Sequence, residues 1–139
     1  MAFALSNAGA SACAGDGTHK GLLELIVSGK VQLYDGTRAA TPDTAVGAQN
    51  PYLSVTLALP SPAGTVSNGV ISMGAITNGT CNRTGTPTWA RLFESDGTTV
   101  VGDCDVSCTG SGSDMNLAAT LVSGDTVALS SFTITIPAH

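Results

Sequence analysis

The side chains best suited to chemistry in this sequence are those of four cysteines, Cys13, Cys81, Cys104 and Cys108. A structural zinc site needs pairs of closely spaced ligands, whereas only Cys104 and Cys108 lie near each other along the chain. Disulfides persist in oxidising compartments, and no other feature of the sequence indicates that the protein resides in such a compartment. Metal binding and disulfide pairing remain alternatives, but we expect reduced thiols that bind no metal.

Three aspartates form a second candidate cluster. Asp103 and Asp105 are separated by one residue on a predicted strand, which places both carboxylates on the same face. With Asp114 and nearby carbonyl groups they offer the oxygen ligands that calcium binds. The same pattern also suits the solvent-exposed face of an edge strand, where like charges discourage pairing with other strands. We favour this second interpretation and predict no metal site.

The sequence shows no pattern typical of a catalytic centre. A hydrolytic triad needs a histidine between a nucleophile and a carboxylate, but His19 falls at the start of a predicted helix and His139 at the end of the chain. Glu24 and Glu94 are single carboxylates with no identifiable partner for acid–base catalysis. We therefore predict that the protein is not an enzyme and uses no cofactor.

Charge excludes nucleic acid as a partner. Only 11% of the 139 residues are charged and the net charge is −5, against a usual charged fraction of about 25%. Nucleic-acid binding requires a basic patch, and the five basic residues are scattered along the chain. A surface with so few ions suits contact with other proteins, because little charge must be desolvated on docking.

Hydropathy gives no sign of a membrane or of secretion. No apolar run approaches the roughly 18 residues of a membrane-spanning helix. The first residues lack the basic and long apolar segments of a signal peptide. We expect no membrane association, and assembly in a cytoplasm.

The elements that must position these residues are mostly strands. Alternating apolar residues, punctuated by Gly, Pro and Asp-Gly turns, predict strands at 30–34, 53–59, 70–76, 88–94, 99–106, 114–118 and 126–136. Thr18 as cap and Gly29 as terminator predict one short helix over 19–28. Many short strands with frequent turns are typical of an all-β jelly roll or β-sandwich. The final strand, closed by Pro137, is expected to lie at a sheet edge.

Composition divides the chain into two parts. Residues 1–17 are small and polar, which predicts a flexible arm; residues 18–139 form the single β-sandwich domain. Residues 35–51 form a long loop without periodicity, and such loops are often functional.

Strand parity predicts the core. Within 88–94, Trp89, Arg91 and Phe93 share one face, which we expect to be the core face, with Arg91 stacked on the aromatic rings or at the core edge. The predicted core residues are Trp89, Phe93, Phe132, Ile134 and Leu57.

A series of strand and turn segments carries a resemblance to a known family. The segments are 31–37, 53–59, 69–71, 89–93, 95–100, 114–117 and 130–135. In this order the chain resembles, over residues 19–137, the capsid cement (decoration) proteins of tailed bacteriophages, of the jelly-roll type found on the Bordetella phage head. The resemblance implies a structural protein that binds the outer surface of the virion, at junctions between major capsid protein subunits, and stabilises the shell.

The resemblance also implies self-association into a homodimer or another small homo-oligomer. We assign the capsid contacts to the arm and the long loop, with Phe3, Leu5, Pro51 and Tyr52 as partner-binding residues. The alternative function is a tail-borne or secreted β-sandwich module that binds carbohydrate or a receptor. Such a module needs exposed aromatic side chains, and the few in this chain fall mostly at predicted core positions.

Overall fold

The computed structural model describes residues 3–15, 17, 21–47, 57–58, 64–74, 76–107, 115–117 and 120–135. Within these ranges the chain forms short strands and two short helices: β1 (Ala4–Leu5), α1 (Asn7–Ala14), α2 (Leu22–Leu25), β2 (Lys30–Tyr34), β3 (Leu57–Ala58), β4 (Gly64–Ser67), β5 (Val70–Met73), β6 (Gly79–Thr80), β7 (Trp89–Phe93), β8 (Val100–Ser107), β9 (Met115–Leu117), β10 (Thr126–Val127) and β11 (Leu129–Thr135). The predicted all-β class is confirmed.

Nine strands form one sheet, in the order β3-β2-β7-β8-β9-β11-β5-β4, with β1 also paired to β8. The neighbours are antiparallel except β8 and β9, which run parallel. On the edge of β8 that faces away from β7, two strands pair one after the other. Strand β1 pairs at Gly102 and Asp103, and β9 pairs further along at Val106 and Ser107. The remaining strands, β6 and β10, form a separate two-stranded sheet.

The apolar core lies on the face of β7 opposite to the one predicted. Ala90 and Leu92 are buried in the main apolar cluster with their cross-strand partners Leu33 and Val31. Trp89 is also buried, as predicted, but it lies on the other face, so β7 is covered on both sides. The prediction of an aromatic core face was wrong because a strand buried on both faces carries no one-sided pattern.

The other predicted core residues divide in the same way. Phe132 and Ile134 on β11 are buried in the cluster, as predicted. Phe93 is only half-buried. The side chain of Leu57 lies outside the described part of the chain.

The N-terminal segment, residues 3–15, is folded against the sheet. Ser6 caps α1, since its Oγ accepts a hydrogen bond from the Gly9 amide at 3.0 Å and donates one to the Val100 carbonyl at 2.5 Å. Its own amide donates to the Val101 carbonyl at 2.8 Å. The segment is thereby bonded to β8, so the prediction of an arm over 1–17 is corrected for residues 3–15.

Small residues allow this docking. A side chain at Gly9 would lie 2.5 Å from the Val101 carbonyl oxygen, and one at Gly102 would lie 2.5 Å from both the Ala4 oxygen and the Phe3 ring. Gly9 therefore lets α1 approach β8 closely, and Gly102 lets β1 lie against it. Gly9, one of the small residues that predicted flexibility, is thus required for close packing.

The predicted helix over 19–28 is reduced to α2, a single turn. The chain leaves the helix at Ile26, and Ser28 rather than Gly29 adopts the left-handed conformation, with a φ of 55°. The predicted cap, Thr18, lies outside the described residues.

Two strand predictions need revision at the far end of the sheet. Strand β11 lies between β9 and β5, so it is not the predicted edge. The edge is β4, which the sequence analysis missed. Its signal was the Asn68-Gly69 pair, whose positive φ values of 50° and 77° form the two-residue hairpin turn that joins β4 to β5.

The predicted Asp96-Gly97 turn joins β7 to β8 and is closed by hydrogen bonds to Asp96. Its Oδ2 accepts from the Thr99 hydroxyl at 2.5 Å, and its Oδ1 accepts from the Thr98 and Thr99 amides at 2.8 and 2.9 Å. These hydrogen bonds, that of the Thr99 hydroxyl foremost, hold the pKa of the Asp96 carboxyl well below its usual range.

Asp96→Ala is expected to lower thermal stability in a pH-dependent way. Because the folded-state pKa is lowered, the carboxylate stabilises the protein above the unfolded-chain value of about 3.9 and loses this effect as the pH falls. The difference in melting temperature between wild type and Asp96→Ala should therefore be largest near neutral pH and shrink on acidification. Asp96→Asn, which keeps one acceptor oxygen but no charge, is the matched control. A difference that stays constant with pH would contradict this role.

Candidate interaction surface

An ion pair is buried on the face of the sheet opposite the apolar cluster. Arg91 on β7 lies directly across from Asp103 on β8. Its Nε and Nη2 atoms donate to the two Asp103 carboxylate oxygens at 2.7 and 2.8 Å, in a bidentate arrangement. The two side chains are 4% and 1% exposed. Such a pair persists in the interior only where its remaining donors are also satisfied.

Two aromatic rings lie beside the ion pair. The Arg91 guanidinium carbon lies 5.5 Å from the centroid of the Trp89 ring, within the range of cation–π attraction. Trp89 stacks on Tyr34 of the neighbouring strand, with ring centroids 4.7 Å apart. Burial raises the pKa of the Tyr34 hydroxyl, an effect that Arg91 opposes and Asp103 reinforces. The stacking of Arg91 predicted from the sequence is thus present.

The 35–47 loop, the described part of the predicted long loop, covers this face and is held there by side chains of the sheet. The Arg91 Nη1 atom donates to the Thr44 carbonyl at 2.7 Å, and Nη2 makes a longer contact of 3.4 Å to the Thr41 carbonyl. At the start of the loop, the Trp89 indole donates to the Asp35 carbonyl at 2.9 Å. The same side chains that fill the face of the sheet therefore also fix the backbone of the loop.

The loop is joined in turn to the N-terminal segment. The carboxylate oxygens of Asp43 accept the Asn7 amide at 3.1 and 3.3 Å, at the first residue of α1. Within the loop, the Thr44 amide donates to the Thr41 carbonyl at 3.0 Å, and Pro42 is buried. Helix α1 and the loop thus form one continuous surface, here called the α1–loop surface.

The outward side of the α1–loop surface consists mainly of small, uncharged residues. The exposed residues of the loop and helix that share this character are Ala40, Thr41, Thr44, Ala45, Gly47, Asn7, Ala10 and Ser11. Asp43 is the exposed carboxylate among them. A surface of this kind can dock on another protein with little desolvation of charge and little loss of backbone freedom.

The aspartates considered for calcium are used in ion pairs instead. Asp103 is bonded to Arg91, and Asp105 lies 3.6 Å from Arg38 Nη1. Both interpretations made from the sequence were therefore incomplete, because Asp103 is buried rather than solvated. Among the described residues no group of His, Cys, Asp and Glu side chains has the geometry of a metal site; Asp114 lies outside them.

A third ion pair, between Arg83 and Asp35, connects the start of the loop to the segment before β7. The loop is therefore held at its start by the Asp35 side chain and at its middle by Arg91.

Two of the four predicted partner-binding residues lie in the described part of the chain. Phe3 and Leu5 are half-buried and pack against the apolar cluster, so they hold the N-terminal segment in place. Pro51 and Tyr52 lie outside the described residues. Of the cysteines, Cys81 and Cys104 are buried and Cys13 is exposed, and these three form no disulfide with one another; Cys108 is outside the described ranges.

Comparison with protein-family models, with curated proteins and with solved structures found no match. In the part of the chain that the structure describes, no helix is long and apolar enough to cross a membrane.

Removing one partner of the buried ion pair is expected to be costly. Asp103→Ala leaves the Arg91 charge buried without its carboxylate, which should lower the free energy of unfolding by about 3–5 kcal/mol. The matched control is Asp105→Ala, whose partially exposed pair with Arg38 should contribute about 1 kcal/mol or less. Urea denaturation measures both values. Equal effects of the two substitutions would show that the buried Arg91–Asp103 pair stabilises the protein no more than the pair between Arg38 and Asp105.

Proposed function

We propose that the protein is a structural capsid cement protein, which binds the outer surface of a bacteriophage head at junctions between major capsid protein subunits. The observation that carries the proposal is the α1–loop surface, whose exposed residues are uncharged apart from Asp43. Arg91 fixes this surface before any partner binds. A clamp between subunits needs shape and little flexibility rather than chemistry. The resemblance of the strand and turn order to phage cement proteins supports the same role.

Multivalency suits this proposal. Many copies on one shell act together, so each contact can be of modest affinity. An interface of standard size, about 1,600 Å², spans a wide range of affinity according to how well its contacts are preorganised. The fastening of the 35–47 loop supplies this preorganisation. The strands are proposed to follow the jelly-roll arrangement, and the protein to be assembled onto the virion in the host cytoplasm.

The proposed contacts differ from those first assigned. Phe3 and Leu5 hold the N-terminal segment against the core, so the capsid contacts are assigned to the exposed side of α1 and of the 35–47 loop. Pro51 and Tyr52 remain candidates further along the chain. The carbohydrate-binding alternative loses two platforms, because Tyr34 and Trp89 are buried beneath the loop.

The proposal predicts that Ala45→Arg weakens binding to mature heads by roughly tenfold or more, about 1.4 kcal/mol, since the added guanidinium must be desolvated in the interface. Ala128→Arg is the matched control, because Ala128 is also an exposed alanine but lies between β10 and β11. Binding is measured by co-sedimentation with expanded heads and with unexpanded precursor shells, built from the major capsid protein that the proposal requires in the same genome.

Wild-type protein and Ala128→Arg should bind expanded heads and not precursor shells. Equal binding of Ala45→Arg would move the interface away from the 35–47 loop. If wild-type protein binds neither particle, the cement proposal is wrong, and a glycan array then tests the carbohydrate-binding alternative.

A further inference from the structure

Strand β4 is an open edge of the large sheet. It pairs with β5 on one side, and no other strand of the described chain lies on its second side. Thr65, Val66 and Ser67 are all exposed, and Val66 is 56% exposed. None of its four residues is charged. Natural sheet edges are commonly protected by charge or proline within the strand, and β4 has neither.

The register of the hairpin shows which backbone groups are available. Ser67 and Val70 flank the two-residue turn, so they form the hydrogen-bonded pair that closes it. Hydrogen-bonded pairs alternate with non-bonded pairs along an antiparallel ladder. Val66, opposite Ile71, is therefore a non-bonded position toward β5, and its N–H and C=O groups point toward the open edge.

An apolar groove lies on the same side as the Val66 side chain. It has a volume of about 280 Å³, and its walls include Cys13, Leu22, Leu23, Val66 and Ile71. Among the residues that the structure describes, no carboxylate, amine or guanidinium lines it. A charged group placed against this groove would lose water without gaining a partner. The occupant of the edge must therefore be an extended, uncharged segment with an apolar side chain level with Val66.

We propose that this occupant is β4 of a second copy of the chain, paired antiparallel about a two-fold axis centred on Val66. The strand itself meets each requirement, being extended, uncharged and apolar at the right position. Val66 would then exchange both backbone hydrogen bonds with Val66 of the second copy, with Thr65 opposite Ser67. Two-fold pairing is self-complementary and closes the assembly at a dimer. It also covers both open edges and brings the two apolar grooves together.

This inference is independent of the capsid proposal. It concerns the β4 edge, whereas the capsid contacts are assigned to the α1–loop surface. Either proposal can fail alone, because one is tested by the state of the pure protein and the other by binding to heads.

The first experiment compares Val66→Lys with wild type by sedimentation equilibrium. Wild type should be a dimer, and Val66→Lys should raise the dimer dissociation constant by roughly tenfold or more, because two ammonium groups would face each other across the axis. Val122→Lys is the matched control, since Val122 is also a largely exposed valine, at 47%, but is remote in sequence from β4. Circular dichroism shows that each variant is folded. A monomeric wild type, or a Val66→Lys variant that dimerises as wild type does, overturns the proposal.

The second experiment tests the register. A hydrogen-bonded antiparallel pair has Cα atoms about 5.5 Å apart, within the range that a disulfide spans. Val66→Cys is made in a chain with Cys13→Ser and Cys108→Ser, in which the buried Cys81 and Cys104 are the other thiols left. This variant should form a covalent dimer on mild oxidation. Val122→Cys in the same background should not. Failure of Val66→Cys to cross-link, or equal cross-linking of both variants, contradicts the proposed two-fold pairing.

Discussion

The structure depends on one buried polar contact, the bidentate ion pair between Arg91 and Asp103. A charge in the interior must be paired, and its remaining donors must also find acceptors. Arg91 meets this requirement by donating to the carbonyl of Thr44, with a longer contact to that of Thr41. The need to satisfy one guanidinium therefore fixes the backbone of the 35–47 loop. Because Asp43 in that loop accepts the Asn7 amide, the same requirement extends to helix α1.

A β-bulge creates this pair, and it explains why the sequence did not reveal it. The Asp96-Gly97 turn predicts that β7 and β8 pair, which the structure confirms. Phe93 pairs with Val100, but Leu92 pairs with Gly102, so Val101 is an extra residue in β8. A ladder without the bulge would place Arg91 opposite Gly102 and turn Asp103 toward the apolar cluster. Gly102 within the strand is the kind of residue that marks a bulge, but the sequence analysis did not use this signal. It therefore considered only the calcium and edge-strand interpretations.

Other elements were predictable to the extent that their patterns were local. Strand β2 was found by its alternation, and the all-β class by the number of strands and turns. The N-terminal segment was misread because Gly9 and Ala12 look like linker residues. The small size of Gly9 instead permits packing against β8, and Ala12 is buried in the apolar cluster. The edge at β4 depends on strand order, which is a long-range property that alternation along one strand does not encode. The Asn68-Gly69 turn was the local signal that would have revealed the hairpin.

The central claim is that Arg91 couples the 35–47 loop and the N-terminal segment to the sheet. Its direct test is hydrogen exchange, followed by mass spectrometry, in the double variant Arg91→Met with Asp103→Leu. Replacing both members of the pair leaves no buried charge, so the sheet should remain folded. The account predicts faster exchange in 35–47 and 3–15 together, with unchanged exchange in the β4–β5 hairpin. Wild-type protection in both segments, or a change confined to the loop, would contradict it.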